Sequence, residues 1–164
     1  VIRSVDFISQ MEAEALSGAP LQSDVALISI ATPGVRPPTL PHFLERLSLA
    51  FDDVEDGQDS AVAFNDGHAK AILEFVARIH SQEKAWRCIV HCKAGISRSA
   101  AVAHYVAAAT GCQFSRRKEA DEANLLVLRV LADASGLFDA LTVGEQGCLR
   151  GKSAAGSSDD DYHS

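Results

Sequence analysis

The chain has 164 residues, 47% of them from the set AVILMFWYC, and carries a formal net charge of -7. That length and apolar content suit one domain with a sizeable core and exclude intrinsic disorder for most of the chain. No run approaches the ~18 consecutive apolar residues of a membrane-spanning helix, and the acidic balance argues against non-specific attraction to nucleic acid or anionic lipid.

Four cysteines, Cys88, Cys92, Cys112 and Cys148, are too few for a disulfide scaffold, and none has Cys-x-x-Cys or zinc-ligand spacing. The expectation is a reduced, cytoplasmic protein. No charged, apolar and small-residue leader pattern follows Val1, and a processed or trimmed start stays open.

In chain order, Ser9 and Glu12 have the spacing of a capping box, which predicts a short helix carrying Met11, Ala15 and Leu16 and ending near Gly18. VALISI at 25–30 reads as a buried strand. Residues 31–41 hold four of the five prolines and are expected to form an irregular connection. A second strand is expected at 47–51, followed by an acidic loop at 52–60. Between 66 and 80, Ala69, Ile72, Leu73, Val76 and Ile79 recur with helical period, predicting an amphipathic helix on a sheet.

WRCIVHC at 86–92 predicts a strand, and the small residues Ala100, Ala101, Ala103 and Ala107 predict a closely packed helix over 98–109, stopped by Gly111. A last helical region is expected over 115–134, with Leu125, Leu128 and Leu131 on one side. Residues 151–164 contain no Leu, Ile, Val or Phe and are expected to be a disordered acidic tail behind a domain over 1–150. Strands alternating with helices imply a single α/β domain with a central, mostly parallel sheet flanked by helices.

The most informative segment is HCKAGISRS, His91 to Ser99. It sets a cysteine at the end of a buried strand and an arginine at the start of a helix, with five residues between them. A helix N-terminus offers free N–H groups and the positive end of the macrodipole, so the loop of Lys93, Ala94, Gly95, Ile96 and Ser97 is a candidate phosphate cradle. Gly95 permits the tight turn. Arg98 supplies a planar fork that grips two phosphate oxygens, which an ammonium cannot do. The same field favours thiolate over thiol and makes Cys92 a candidate nucleophile. Ser99 can offer its hydroxyl to the sulfur when the thiolate leaves, and His91 can orient the loop. Five fixed residue types at these positions would coincide by chance on the order of once in 10⁴ chains of this length.

His91-Cys92, five residues and Arg98-Ser99 resemble the active-site signature of the cysteine-dependent protein tyrosine phosphatase superfamily. The short chain is similar to its dual-specificity branch and to the compact bacterial predicted tyrosine phosphatases, over residues 24–141 in element order. The resemblance implies a phosphomonoester hydrolase acting through a phosphocysteine, with no cofactor and no metal. The substrate would be a phosphorylated protein or a small phosphomonoester, with no nucleic acid and no membrane insertion. It also implies a general acid on the loop before the cysteine. Asp52, Asp53, Asp56 and Asp59 all lie there, and Phe51-Asp52-Asp53 resembles the acid loop of several small phosphatases, which selects Asp53.

Arg36 in the Pro-rich connection is a further candidate for a substrate phosphate. Asn124 resembles an asparagine of the bacterial family, although capping a helix explains it equally. CKAG also resembles the loop of phosphoinositide phosphatases, which commonly carry a second lysine where this chain has Ile96. Cys88 and Cys112 read as core residues. The alternative functions are a catalytically silent phosphate-recognition module and a phosphoinositide phosphatase.

Overall fold

The computed structural model describes residues 1–18, 20–55 and 61–141; the expected acidic tail, Cys148, Asp56 and Asp59 lie outside the described residues. Among the described residues four strands form one parallel sheet: β1 (Ile2–Ser9), β2 (Gln22–Ala31), β3 (Phe43–Ala50) and β4 (Trp86–Cys92), in the order β1-β4-β2-β3. The central strands β2 and β4 are buried on both faces, which is why VALISI and WRCIVHC read as nearly continuous apolar runs. At the edge, β3 alternates between less and more exposed residues along its length.

One face of the sheet, with Val5, Phe7, Ile28, Ile30, Cys88 and Val90, packs against α2 (Asp66–His80), α3 (Arg98–Thr110) and α4 (Leu125–Ser135). The other, with Ile8, Val25, Leu27 and Ile89, is covered by Ala13 of α1 (Gln10–Ser17) and by Leu40 and Phe43. The Ser9 capping box forms as expected, Glu12 N donating to Ser9 Oγ at 3.1 Å and Ser9 N to Glu12 Oε2 at 2.7 Å. The helix over 66–80 is present with those bounds, capped by Asn65. Small residues bury almost the whole of α3, which ends at Gly111 in the left-handed region with φ +67°. No helix of the described residues is long and apolar enough to cross a membrane.

Beyond β3, which starts at Phe43 and ends at Ala50 where a strand over 47–51 is expected, two elements differ from expectation. First, β1 had no counterpart in the sequence reading, because Arg3, Ser4 and Asp6 interrupt its apolar residues. Their polarity is accommodated at the sheet edge: Val5 N donates to Gln113 O at 2.9 Å, Gln113 N donates to Arg3 O at 3.0 Å, and Arg116 lies 3.6 Å from Asp6. Second, the helix expected over 115–134 is a short 3-10 turn (Arg117–Glu119) and the separate α4. Residues 115–122 offer Ala120 as their only apolar side chain, so no face can be buried. Asn124 then starts a new helix by accepting from Val127 N at 3.0 Å.

Candidate active site

All four strands run the same way, so their C-terminal ends open at one edge of the sheet, where ligands of parallel α/β folds bind. Cys92 ends β4 at this edge, and five residues later Arg98 opens α3. The loop between them is pressed against the end of β1. Gln10 N donates to Lys93 O at 3.2 Å, and a Cβ on Gly95 would lie 2.3 Å from Ser9 N and 2.4 Å from Ile8 C. With φ at +68° as well, position 95 accepts only glycine without moving the backbone.

Cys92 is 2% exposed, and its Sγ lies 3.1 Å from Ser99 Oγ, also buried. The first turn of α3 is left uncapped by side chains: Ser97 occupies the cap position but makes no cap hydrogen bond. Its Oγ donates instead to Asp53 Oδ1 at 2.8 Å. The uncapped turn therefore keeps N–H groups for a ligand.

Arg98 is 5% exposed, unusual for a guanidinium. Its Nη1 donates to Phe51 O at 2.8 Å and to Thr32 Oγ1 at 3.3 Å. Its Nε is buried with no partner among the described residues. A buried donor on a charged group without an acceptor costs free energy that a bound anion would recover.

The acidic loop starts from a fixed point. Phe51 is fully buried, its ring 4.9 Å from Phe64 and 5.2 Å from His68, and its N donates to Ala31 O at 3.2 Å. From there the two neighbouring aspartates diverge. Asp52 closes the loop on itself, its N donating to Val62 O at 2.8 Å and its Oδ2 accepting from Val62 N at 2.7 Å. Asp53 turns to the Cys92 loop, its Oδ1 accepting from Ser97 Oγ and, at 2.8 Å, from Asn124 Nδ2. Asn124 N also donates to Ser97 O at 3.2 Å, so one residue ties α4, the acidic loop and the Cys92 loop together. Asn124 thus caps α4 and holds Asp53, a double role that helix patterning alone does not reveal.

His91 is fully buried beside Cys92, with Nε2 at 2.6 Å from Ser29 Oγ across the β2 to β4 register. Burial pushes its ring below the ordinary 6.5, with the Arg98 charge acting the same way, against the opposing pull of the Cys92 backbone and Glu14. Burial pushes the Cys88 thiol up, with Cys112 adding to the shift, and burial raises Cys112 as well. Both are the opposite of an activated thiol. Arg36, Lys93, Ala94 and Ile96 are exposed; Arg36 is the candidate that the structure does not bring to the Cys92 loop by any hydrogen bond. Thr32 and the Phe51 carbonyl were invisible in the sequence, since one is a lone threonine before a Pro-Gly turn and the other is backbone.

Neither a family model nor a curated protein matches the chain. Among solved structures it is similar to human DUSP28, with 19% identity and a TM-score of 0.46 over 90% of this chain and 94% of that one. It is also similar to Tk-PTP in its active form, at 17% identity and a TM-score of 0.44 over 90% and 92%. A third is the human tyrosine phosphatase-like serine/threonine/tyrosine-interacting protein, at 18% identity and a TM-score of 0.39 over 86% and 87%. Likeness at this level concerns the course of the chain, not the chemistry of its side chains.

Proposed function

We propose that the chain is a cysteine-dependent phosphomonoester hydrolase that works in two steps without metal or cofactor, in a compartment that keeps its thiols reduced. The observation that carries this reading is the buried Arg98, tied by Nη1 to two protein acceptors while Nε has none among the described residues, on the same strand-loop-helix unit as Cys92 Sγ and Ser99 Oγ, which lie 3.1 Å apart. A guanidinium held this way keeps one edge for an anion, beside a sulfur at the uncapped start of α3.

In the first step the Cys92 thiolate attacks phosphorus in line, the loop N–H groups and Arg98 bind the equatorial oxygens, and the S–P bond forms as the P–O bond breaks. Asp53 gives its proton to the departing oxygen. In the second step water attacks phosphorus and passes a proton to Asp53, the P–S bond breaks, and the Ser99 hydroxyl donates to the leaving thiolate. The products are orthophosphate, the alcohol or phenol, and the regenerated thiolate. Asp53 is preferred to Asp52 because its carboxylate meets the Cys92 loop at Ser97 Oγ, whereas that of Asp52 is turned to Val62 N.

The test is turnover of an aryl phosphate and of phosphotyrosine, phosphothreonine and phosphoinositide substrates, with acid-quench trapping of phosphocysteine. Hydrolysis with a trapped phosphoenzyme on Cys92 is expected. Phosphate binding without turnover on any substrate would replace the hydrolase with a recognition module.

A further inference from the structure

The Pro-rich connection after β2 begins as a defined turn. Val35 N donates to Thr32 O at 3.1 Å, Pro33 takes the second position, and Gly34 takes the third with φ +78°. This is the type II arrangement, in which proline presets φ and glycine accepts the positive φ without strain. Thr32 is its first residue. Immediately before it, Ala31 O accepts Phe51 N at 3.2 Å, so the Thr32 backbone is fixed on both sides. A cavity of about 220 Å3, lined by Ser29, Thr32, Val35, Leu49 and Ala50 among others, lies between this turn and the sheet. Thr32 Oγ1 accepts from Arg98 Nη1 at 3.3 Å.

We propose that Thr32 is a positioning residue for the anion site. A guanidinium pinned at Nη1 by a hydroxyl and a carbonyl has its rotation fixed in its own plane. Its remaining fork, Nε with Nη2, is then the edge presented to a phosphate. One acceptor, Phe51 O, would leave the plane free to swing about that single bond. The second, Thr32 Oγ1, comes from a different segment and removes that freedom. The rigid turn supplies it without an ordering cost at the moment of binding. This inference rests on the anion-binding part of the proposed function.

The experiment compares wild type, Thr32→Val and Thr32→Ser in hydrolysis of an aryl phosphate, in inhibition by orthophosphate, and in calorimetric titration with orthophosphate. Val keeps the branched shape and deletes the hydroxyl; Ser keeps the hydroxyl. Thr32→Val should weaken orthophosphate binding by about 3- to 10-fold, with a matching rise in KM, because one of two acceptors on a charged donor is lost. Thr32→Ser should restore binding to within about twofold, and both melting temperatures should stay near that of wild type. Phosphate affinity unchanged in Thr32→Val, or a loss that Thr32→Ser does not repair, overturns the positioning role. If wild type binds phosphate without turning over, and Thr32→Val binds it more weakly, the hydrolase reading falls and the positioning role stands. A wild type that neither binds nor turns over sinks both.

Discussion

Asn124 Nδ2 donates to Asp53 Oδ1 at 2.8 Å, while the amide oxygen of the same side chain caps α4 through Val127 N. The two roles separate by substitution. Asn124→Ser keeps a capping oxygen but is too short to reach Asp53, whereas Asn124→Ala loses both. Asn124→Ala should cost about 1 kcal/mol of stability from the cap, and Asn124→Ser only a few tenths. Both should slow hydrolysis of alkyl phosphates more than that of an activated aryl ester, since only the former depend on a well-placed acid. Equal losses on both substrates would remove Asn124 from any part in orienting Asp53.

In the proposed mechanism Cys92 and Arg98 divide the work differently. Cys92→Ser should abolish turnover and phosphoenzyme formation while retaining orthophosphate binding, because the amides and Arg98 remain. Arg98→Lys should weaken both binding and turnover, by about 100-fold in kcat/KM, since an ammonium cannot reproduce the two-point contact or reach both Phe51 O and Thr32 Oγ1. Residual hydrolysis by Cys92→Ser near the wild-type rate would end the covalent mechanism.

The two aspartates give a sharper test of the acid. Asp53→Asn should depress cleavage of phosphotyrosine more than that of an activated aryl phosphate and flatten the alkaline limb of the pH–rate profile. Asp52→Asn should act through stability instead, because its carboxylate closes the loop on Val62. Should Asp52→Asn show the leaving-group dependence and Asp53→Asn not, the acid assignment moves by one residue.

Much of the fold was legible because periodicity reports burial. The helix over 66–80 kept its predicted bounds since its apolar face and polar face are both continuous, and β4 was legible since both of its faces are buried. Where burial is partial the pattern fades: β1 mixes Arg3, Ser4 and Asp6 among its core residues, and the 115–124 stretch borrowed an apparent helical period from the leucines that follow it. At the site, spacing along the chain announced Cys92, Arg98 and Ser99, which lie on one strand-loop-helix unit. Thr32, Phe51 O and Asn124 come from three other segments, and their convergence on Arg98 and Asp53 is a property of sheet order, not of local sequence.

Gly95→Ala tests how firmly β1 buttresses the loop. The new methyl would stand 2.3 Å from Ser9 N, on backbone that cannot swing aside, at a residue already held at φ +68°. The expected result is a loss of more than about 2 kcal/mol in stability together with loss of phosphate binding. Alanine accepted with wild-type binding would mean that the loop and the β1 to α1 junction are not in contact in solution.

The buried histidines set the response of stability to acid. Burial pushes both His91 and His104 below the ordinary 6.5, and the hydrogen bond that His104 Nε2 donates to Ala120 O at 3.1 Å offsets this only in part. Below that ordinary value the unfolded chain takes up protons that the folded chain refuses until its own depressed values are reached. The folded state is therefore fully favoured above pH 6.5 and loses stability as pH falls through the interval beneath it, by up to about 1.4 kcal/mol per pH unit for each histidine. Asp24, lowered chiefly by its hydrogen bond with Arg87, has the same sign but acts only near and below its ordinary 3.8. Urea unfolding at pH 7.5, 6.5 and 5.5 should show a falling midpoint across the last interval. His104→Gln, which retains an N–H for Ala120 O, should make that fall shallower. A midpoint that stays level or rises on acidification would mean that these rings protonate in the folded chain as readily as in the unfolded one.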